Sequence, residues 1–332
     1  VVRRRSTLAA ALAIVGLLLG SVVGAAAQEA TPAAFADTMG LPELRVRVTD
    51  ASFEGLPAEV PAGRYLLTVE SAAAEGGTVA FMQLPEGMGV DDFVALLSGP
   101  TPASPEPGVA TATSEVGPPA SPAAAGEEGP PEWYYQTKMA GGTGAFPGQT
   151  AQAIVDLTPG EWIAWADDPE APQAPVGLTV TGEAGATPEA AAEPAADVTV
   201  TMFEYDFTVA GAFAPGPQTI KVANVGAQPH FMLLQRSPGP ITEEQIQQLL
   251  DLAMTGGTPA PDADLPNPDE FVPAAIMEIM SSGTTAWLAA NLEPGYYILI
   301  CFVPDIESGI PHAFEGMYEV VAVGVDEATP TA

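Results

Sequence analysis

Four side chains in this sequence have types and spacing that can do chemistry. Cys301 is the only cysteine, and His230 and His312 are the only histidines, in 332 residues. Ten residues separate Cys301 from His312, and four separate His312 from Met317. Thiolate, imidazole and thioether in this order, with a distant upstream imidazole, are the ligand set of a mononuclear copper electron-transfer site. Two imidazoles and a thiolate make a compact trigonal set acceptable to both copper oxidation states, and a weak axial thioether tunes the potential. Singly, each residue has an ordinary reading. A cysteine in an apolar strand is usually a small core hydrophobe, a histidine after Pro311 a surface group, and a methionine at a strand start a packing residue. Together, the only cysteine and both histidines fill three positions of one constellation in order.

These residues need particular elements to hold them. Pro294-Gly295 signals a turn, Tyr296 to Val303 reads as an apolar strand carrying Cys301, and Met317 to Val323 reads as the last strand. His312 falls in the loop between them, and His230 closes the run Asn224-Val225-Gly226-Ala227-Gln228-Pro229-His230.

With these motifs, residues 197–324 resemble the cupredoxins, the family of plastocyanin, azurin and other type 1 (blue) copper proteins. The resemblance rests on the N-x-G-x-x-x-H turn ending at His230, on the order Cys301, His312, Met317 between the last two strands, and on the spacing of His312 and Met317. It implies a Greek-key β-sandwich, one mononuclear type 1 copper held by His230, Cys301, His312 and Met317, and single-electron transfer. It also implies docking of a redox partner at the edge of His312. The ten residues before His312 depart from the family, which places that histidine only a few residues after the cysteine. Such a loop can still return, because closure entropy grows slowly with length, and Pro304, Gly309 and Pro311 supply turns. Asp305 and Glu307 in this loop either add acidity beside the metal or stay solvated.

The remainder of the chain reads as β-rich. Residues 1–27 have the form of a cleaved export signal, with Arg3-Arg4-Arg5, an apolar run from Leu8 to Val23 and Ala25-Ala26-Ala27. Short apolar or alternating runs follow over residues 44–48, 64–69, 78–84, 133–137, 151–157, 162–166 and 176–181, and again over 197–209, 218–225, 231–235, 276–280 and 284–288. Helical spacing is expected over 91–97 and over 241–254, the latter capped by Thr242. Residues 99–131 are Pro, Ala, Gly, Ser, Thr and Glu almost throughout and read as a disordered insertion. Residues 182–196 read as a linker and 325–332 as a polar tail.

The two halves, 28–181 and 197–324, look like copies of one plan. Phe81-Met82-Gln83-Leu84 echoes Phe231-Met232-Leu233-Leu234, and Pro159-Gly160-Glu161-Trp162 echoes Pro294-Gly295-Tyr296-Tyr297. By this alignment Ala80 stands for His230 and Ala166 for Cys301, so the first copy has no ligand. The expected fold class is all-β, with two tandem Greek-key β-sandwich, cupredoxin-like domains. Trp133, Trp162, Trp165 and Trp287 are expected in the cores.

Composition narrows the function classes. Against 42 acidic residues stand 9 basic ones, a formal charge of −33, which repels nucleic acid and anionic lipid surfaces. No phosphate-binding or dinucleotide fingerprint is present. Both histidines are assigned to the copper site, which leaves none for a catalytic triad or for the further copper centres of multicopper oxidases and copper nitrite reductases. A binuclear copper centre needs a second cysteine. The expectation is an exported (periplasmic, cell-surface or extracellular), non-enzymatic blue copper protein, not inserted in a membrane after signal cleavage. Its partner is a redox protein, basic in character, such as a cytochrome. The alternatives are a copper-storage module without redox duty and a metal-free interaction module.

Overall fold

The computed structural model describes residues 40–98, 137–166, 173–183, 192–258 and 263–325. The expected leader at 1–27, the insertion at 99–131, Trp133 and most of the linker and tail lie outside the described residues.

In the first half the strands are β1 (Glu43–Val48), β2 (Phe53–Glu54), β3 (Glu59–Pro61), β4 (Gly63–Ser71), β5 (Gly77–Gln83), β6 (Lys138–Ala145), β7 (Thr150–Leu157), β8 (Gly160–Trp165) and β9 (Val176–Thr181). Helix α1 (Val90–Ser98) lies between β5 and β6. The second half has β10 (Val198–Phe203), β11 (Asp206–Gly211), β12 (Gly216–Asn224), β13 (His230–Arg236), helix α2 (Glu243–Thr255), β14 (Val272–Met280), β15 (Thr285–Leu292), β16 (Gly295–Ile300) and β17 (Tyr318–Val323). Some strands, β1 and β10 among them, follow from period-2 burial, whereas β5–β8 and β13–β16 bury continuous runs. In β1, Leu44, Val46 and Val48 are buried while the residues between them are exposed, and β10 buries Val198, Val200 and Met202. Helix α2 has a capping box in which Thr242 accepts from the Gln245 N–H, and it ends on Gly256 in the left-handed region.

Two differences from the sequence reading have local causes. The run 197–209 is a hairpin rather than one strand, turning at Glu204 and Tyr205. The buried positions change parity there, from Val200 and Met202 to Phe207. Strand β6, KMAGGTGA, was not expected at all, because its glycines weaken any strand signal. Glycine is required there: a Cβ on Gly142 would overlap the Val79 carbonyl oxygen.

The strands form two sheets. One runs β11-β10-β12-β15-β7-β4-β1-β2 and the other β17-β16-β13-β14-β6-β5-β8-β9-β3. The chain changes sheet between β14 and β15 and again between β15 and β16, the Greek-key habit of a sandwich. Each sheet is continuous through both halves: Trp287 and Leu288 of β15 pair with Ile154 and Ala153 of β7, and Met280 of β14 pairs with Ala140 of β6. One apolar core joins β10, β12, β13, β14 and β16 and also takes in Met82, Met139, Ile163 and Trp165 of the first half. A second is built on Leu67, Val69, Phe81 and Trp162. Trp287, fully buried at the seam, lies under the Arg64 guanidinium at 4.5 Å, and Arg64 is held by Asp156 at 2.8 Å.

The strand pairing corrects the internal alignment. Gln83 faces Trp162 across β5 and β8, and Arg236 faces Tyr297 across β13 and β16. Gln83 and Arg236 are therefore counterparts, which makes Gly77, not Ala80, the position equivalent to His230. The Phe-Met echo is offset by three residues because it matches composition rather than hydrogen bonding.

Candidate metal centre

Strands β13 and β16 are antiparallel neighbours with Leu233 opposite Ile300, so the start of β13 lies beside the end of β16. His230 is the first residue of β13. Cys301 follows the last residue of β16, which ends three residues earlier than Val303, the limit read from the sequence. His312 opens a 3-10 turn, His312–Glu315, that leads into β17. The upstream turn is closed by Asn224, whose side-chain amide donates to the carbonyls of Gln228 and Met280, both at 2.8 Å, and whose oxygen accepts from the Gly226 N–H. Gly226 leaves room here, since a Cβ would lie 2.9 Å from His230 Nε2 and 2.7 Å from Glu204 Oε1 and would push one of these side chains aside.

The ten-residue loop folds as a closed excursion. Pro304 and Pro311 form an isolated β-bridge, His312 N–H donates to the Val303 carbonyl at 2.9 Å, and Asp305 N–H donates to Ile310 at 2.8 Å. Gly309, at φ +69°, makes the reversal and donates to the Asp305 carbonyl. His312 is thus returned to the cysteine despite the sequence separation.

The three side chains converge. Cys301 Sγ is 3.9 Å from His230 Nδ1 and 3.7 Å from His312 Nδ1, and all three residues have 0% exposure. Their ligand atoms lie within 4.8 Å of one another. A trigonal metal with bonds of about 2.3 Å to sulfur and about 2.0 Å to nitrogen sets sulfur and nitrogen about 3.7 Å apart. The observed separations fit one ion. Met317 is fully buried, and its backbone joins both neighbours: its N–H donates to the His312 carbonyl at 2.9 Å and its carbonyl accepts from the Cys301 N–H at 3.2 Å.

Electrostatics prepare the donors. Burial pushes the Cys301 thiol up to about 12, opposed by backbone N–H groups of Phe231 and Val303 that favour the thiolate. Burial brings His230 down to about 4, with His312 adding to the effect, and burial likewise brings His312 to about 4. Both imidazoles are therefore neutral at neutral pH. The Nε2 atoms of both are buried without a hydrogen-bond partner, and Glu204 Oε1 stands 3.8 Å from that of His230.

The fold is cupredoxin-like. Two sheets pack as a Greek-key sandwich, and a His-Cys-His group sits at one end of neighbouring strands, with the donor set of a single type 1 copper site. No family model matches the chain, and no curated protein matches it by sequence. Among solved structures it is similar to an auracyanin from Roseiflexus castenholzii, at 18% identity over 38% of this chain and 95% of that one, TM-score 0.25. It is similar also to auracyanin A, a "blue" copper protein of Chloroflexus aurantiacus, at 21% identity over 38% and 99%, TM-score 0.24. Copper nitrite reductase from Nitrosomonas europaea is matched at 11% identity over 87% and 96%, TM-score 0.22.

Around this cupredoxin-like centre lie polar residues whose roles the sequence did not show. Asp305 is buried rather than solvated. Burial works to raise its pKa, but hydrogen bonds from Ser308, Gln228 and Tyr205 outweigh it and hold the carboxyl well below the usual range. Tyr205 packs edge-on against His312, ring centroids 5.5 Å apart. Its φ of +60° is the only positive value at a non-glycine among the described residues, a conformation costing about 1–3 kcal/mol. Glu204 accepts from the N–H groups of Ala227 and Gln228. His312 itself is buried, with Tyr205 packed against its ring.

Proposed function

We propose that this chain is a blue copper electron carrier in which His230, Cys301 and His312 hold one copper ion with Met317 as axial donor. The observation that carries the reading is the approach of two Nδ1 atoms to one buried Sγ at 3.9 and 3.7 Å. Copper in such a site exchanges one electron between its two oxidation states. The protein's part is to keep water out, hold both imidazoles neutral and hold the donors in place between strands, so that little has to move when charge arrives. Both histidines of the sequence are used in this group, which leaves no imidazole for a second copper centre and favours a carrier over an oxidase or reductase. Export to the periplasm, cell surface or medium is part of the proposal, on the strength of the signal-like residues 1–27. Among the described residues no helix is long and apolar enough to cross a membrane.

The test is metal loading. Metal-free protein given one equivalent of Cu(II) develops an intense visible thiolate-to-copper band, and Cys301→Ser abolishes it. A weak, featureless spectrum from the unmutated chain would sink the proposal. Copper binding with a strong band but no reversible one-electron couple would leave a storage module instead.

A further inference from the structure

We propose that Asp305 is a positioning residue that clamps the two histidine-bearing loops together before any metal arrives. Its Oδ2 accepts from the Tyr205 hydroxyl at 2.8 Å and from Gln228 Nε2 at 2.7 Å. Its Oδ1 accepts from the N–H groups of Glu307 at 2.9 Å and Ser308 at 2.6 Å. Gln228 returns the link by accepting from the Ile306 N–H at 2.9 Å.

Each partner leads to a different part of the centre. Gln228 stands two residues before His230. Tyr205 lies edge-on to His312 at 5.5 Å. Asp305 itself belongs to the excursion between Cys301 and His312. One buried carboxylate therefore ties together three segments that are up to 100 residues apart in sequence. The hairpin turn that supplies Tyr205 also supplies Glu204, which grips the Ala227 and Gln228 N–H groups from the other side. The left-handed backbone of Tyr205 is the sign that this arrangement is held against local preference. Without the carboxylate, a half-buried hydroxyl and a buried amide lose their acceptor, and the ten-residue excursion loses two of its ties to the rest of the molecule.

The clamp rests on the copper reading for one of its two readouts only. Asp305→Asn keeps an oxygen for the local turn but sets an amide against two donors, and Tyr205→Phe removes one hydroxyl while keeping the ring. In the metal-free full chain, both substitutions are expected to raise amide hydrogen exchange at least tenfold over residues 225–230 and 303–312, leaving β4 and β12 unchanged. In the copper-loaded protein they are expected to shift the visible band and weaken Cu(II) binding at least tenfold, about 1.4 kcal/mol. Exchange within twofold of the unmutated chain in both loops overturns the clamp, even if the band is present. Faster loops in variants of a protein that never develops the band uphold the clamp and remove the copper reading. If Asp305→Asn does not fold, Tyr205→Phe decides.

Discussion

At the residue scale, the centre combines donors that burial keeps in reserve. The Cys301 thiol is protonated and inaccessible, and the imidazoles are neutral, so the metal-free group is chemically quiet. Met317, tied by its backbone to both His312 and Cys301, is the residue we propose for tuning. A thioether donates weakly to the metal and stabilises the more highly charged state. Met317→Leu should keep copper and the visible band but raise the potential, by about 59 mV for each tenfold gain in preference for the reduced state. Voltammetry of the two proteins checks this, and an unchanged potential would remove Met317 from the ligand set. Cys301, His230 and His312 were legible in the sequence because Cys and His are so rare here that each occurrence needs a reason, whereas Met317, one of ten methionines, was read from its spacing. The roles of Asp305, Tyr205, Gln228 and Glu204 were not legible. As sequence they are ordinary polar residues, and their meaning lies in bonds such as that between Tyr205 and Asp305, which only the tertiary fold creates.

At the element scale, alternation showed β1 and β10 clearly, and spacing with a Thr242 cap showed α2. It failed for β6, where close approach of backbones demands glycine, and it ran past the β10–β11 turn although the change of buried parity marks it. Strand β14 carries a residue whose cost depends on pH. Glu278, 3% exposed, has its carboxyl lifted by burial from 4.5 to about 7, with a Thr78 hydrogen bond opposing. The folded chain holds this proton more tightly than the unfolded chain. Stability is thus unaffected below about pH 4.5, falls as pH rises through 7, and is lower by about 2–4 kcal/mol above it. Glu278→Gln should match the unmutated protein in thermal unfolding near pH 4.5 and exceed it by a gap that widens to pH 7 and then levels. A gap independent of pH would mean that the carboxyl is not the cause.

At the scale of the whole molecule, both sheets pass through both halves, and Trp287 is covered by groups of the first half, Arg64 and Ile154 among them. The first half therefore acts as a buttress for β15 and for β14, the sheet neighbour of β13. The charge of −33 belongs to this scale too. We propose a basic redox protein, such as a cytochrome, as partner, and the complex should weaken steeply between about 0.01 and 0.15 M salt, as the screening length falls from about 30 to 8 Å. Affinity that ignores salt in a titration would rule out an electrostatic partner. The burial of His312 beneath the Tyr205 ring and the folded loop bears on how such a partner is served. Electron tunnelling decays exponentially with distance, and here the metal-side imidazole has no edge at the surface. In the proposed carrier, two copies alike in charge and both sheathed are expected to exchange electrons slowly. In the proposed carrier the covering would act as insulation, favouring exchange with a protein shaped to press close to Tyr205.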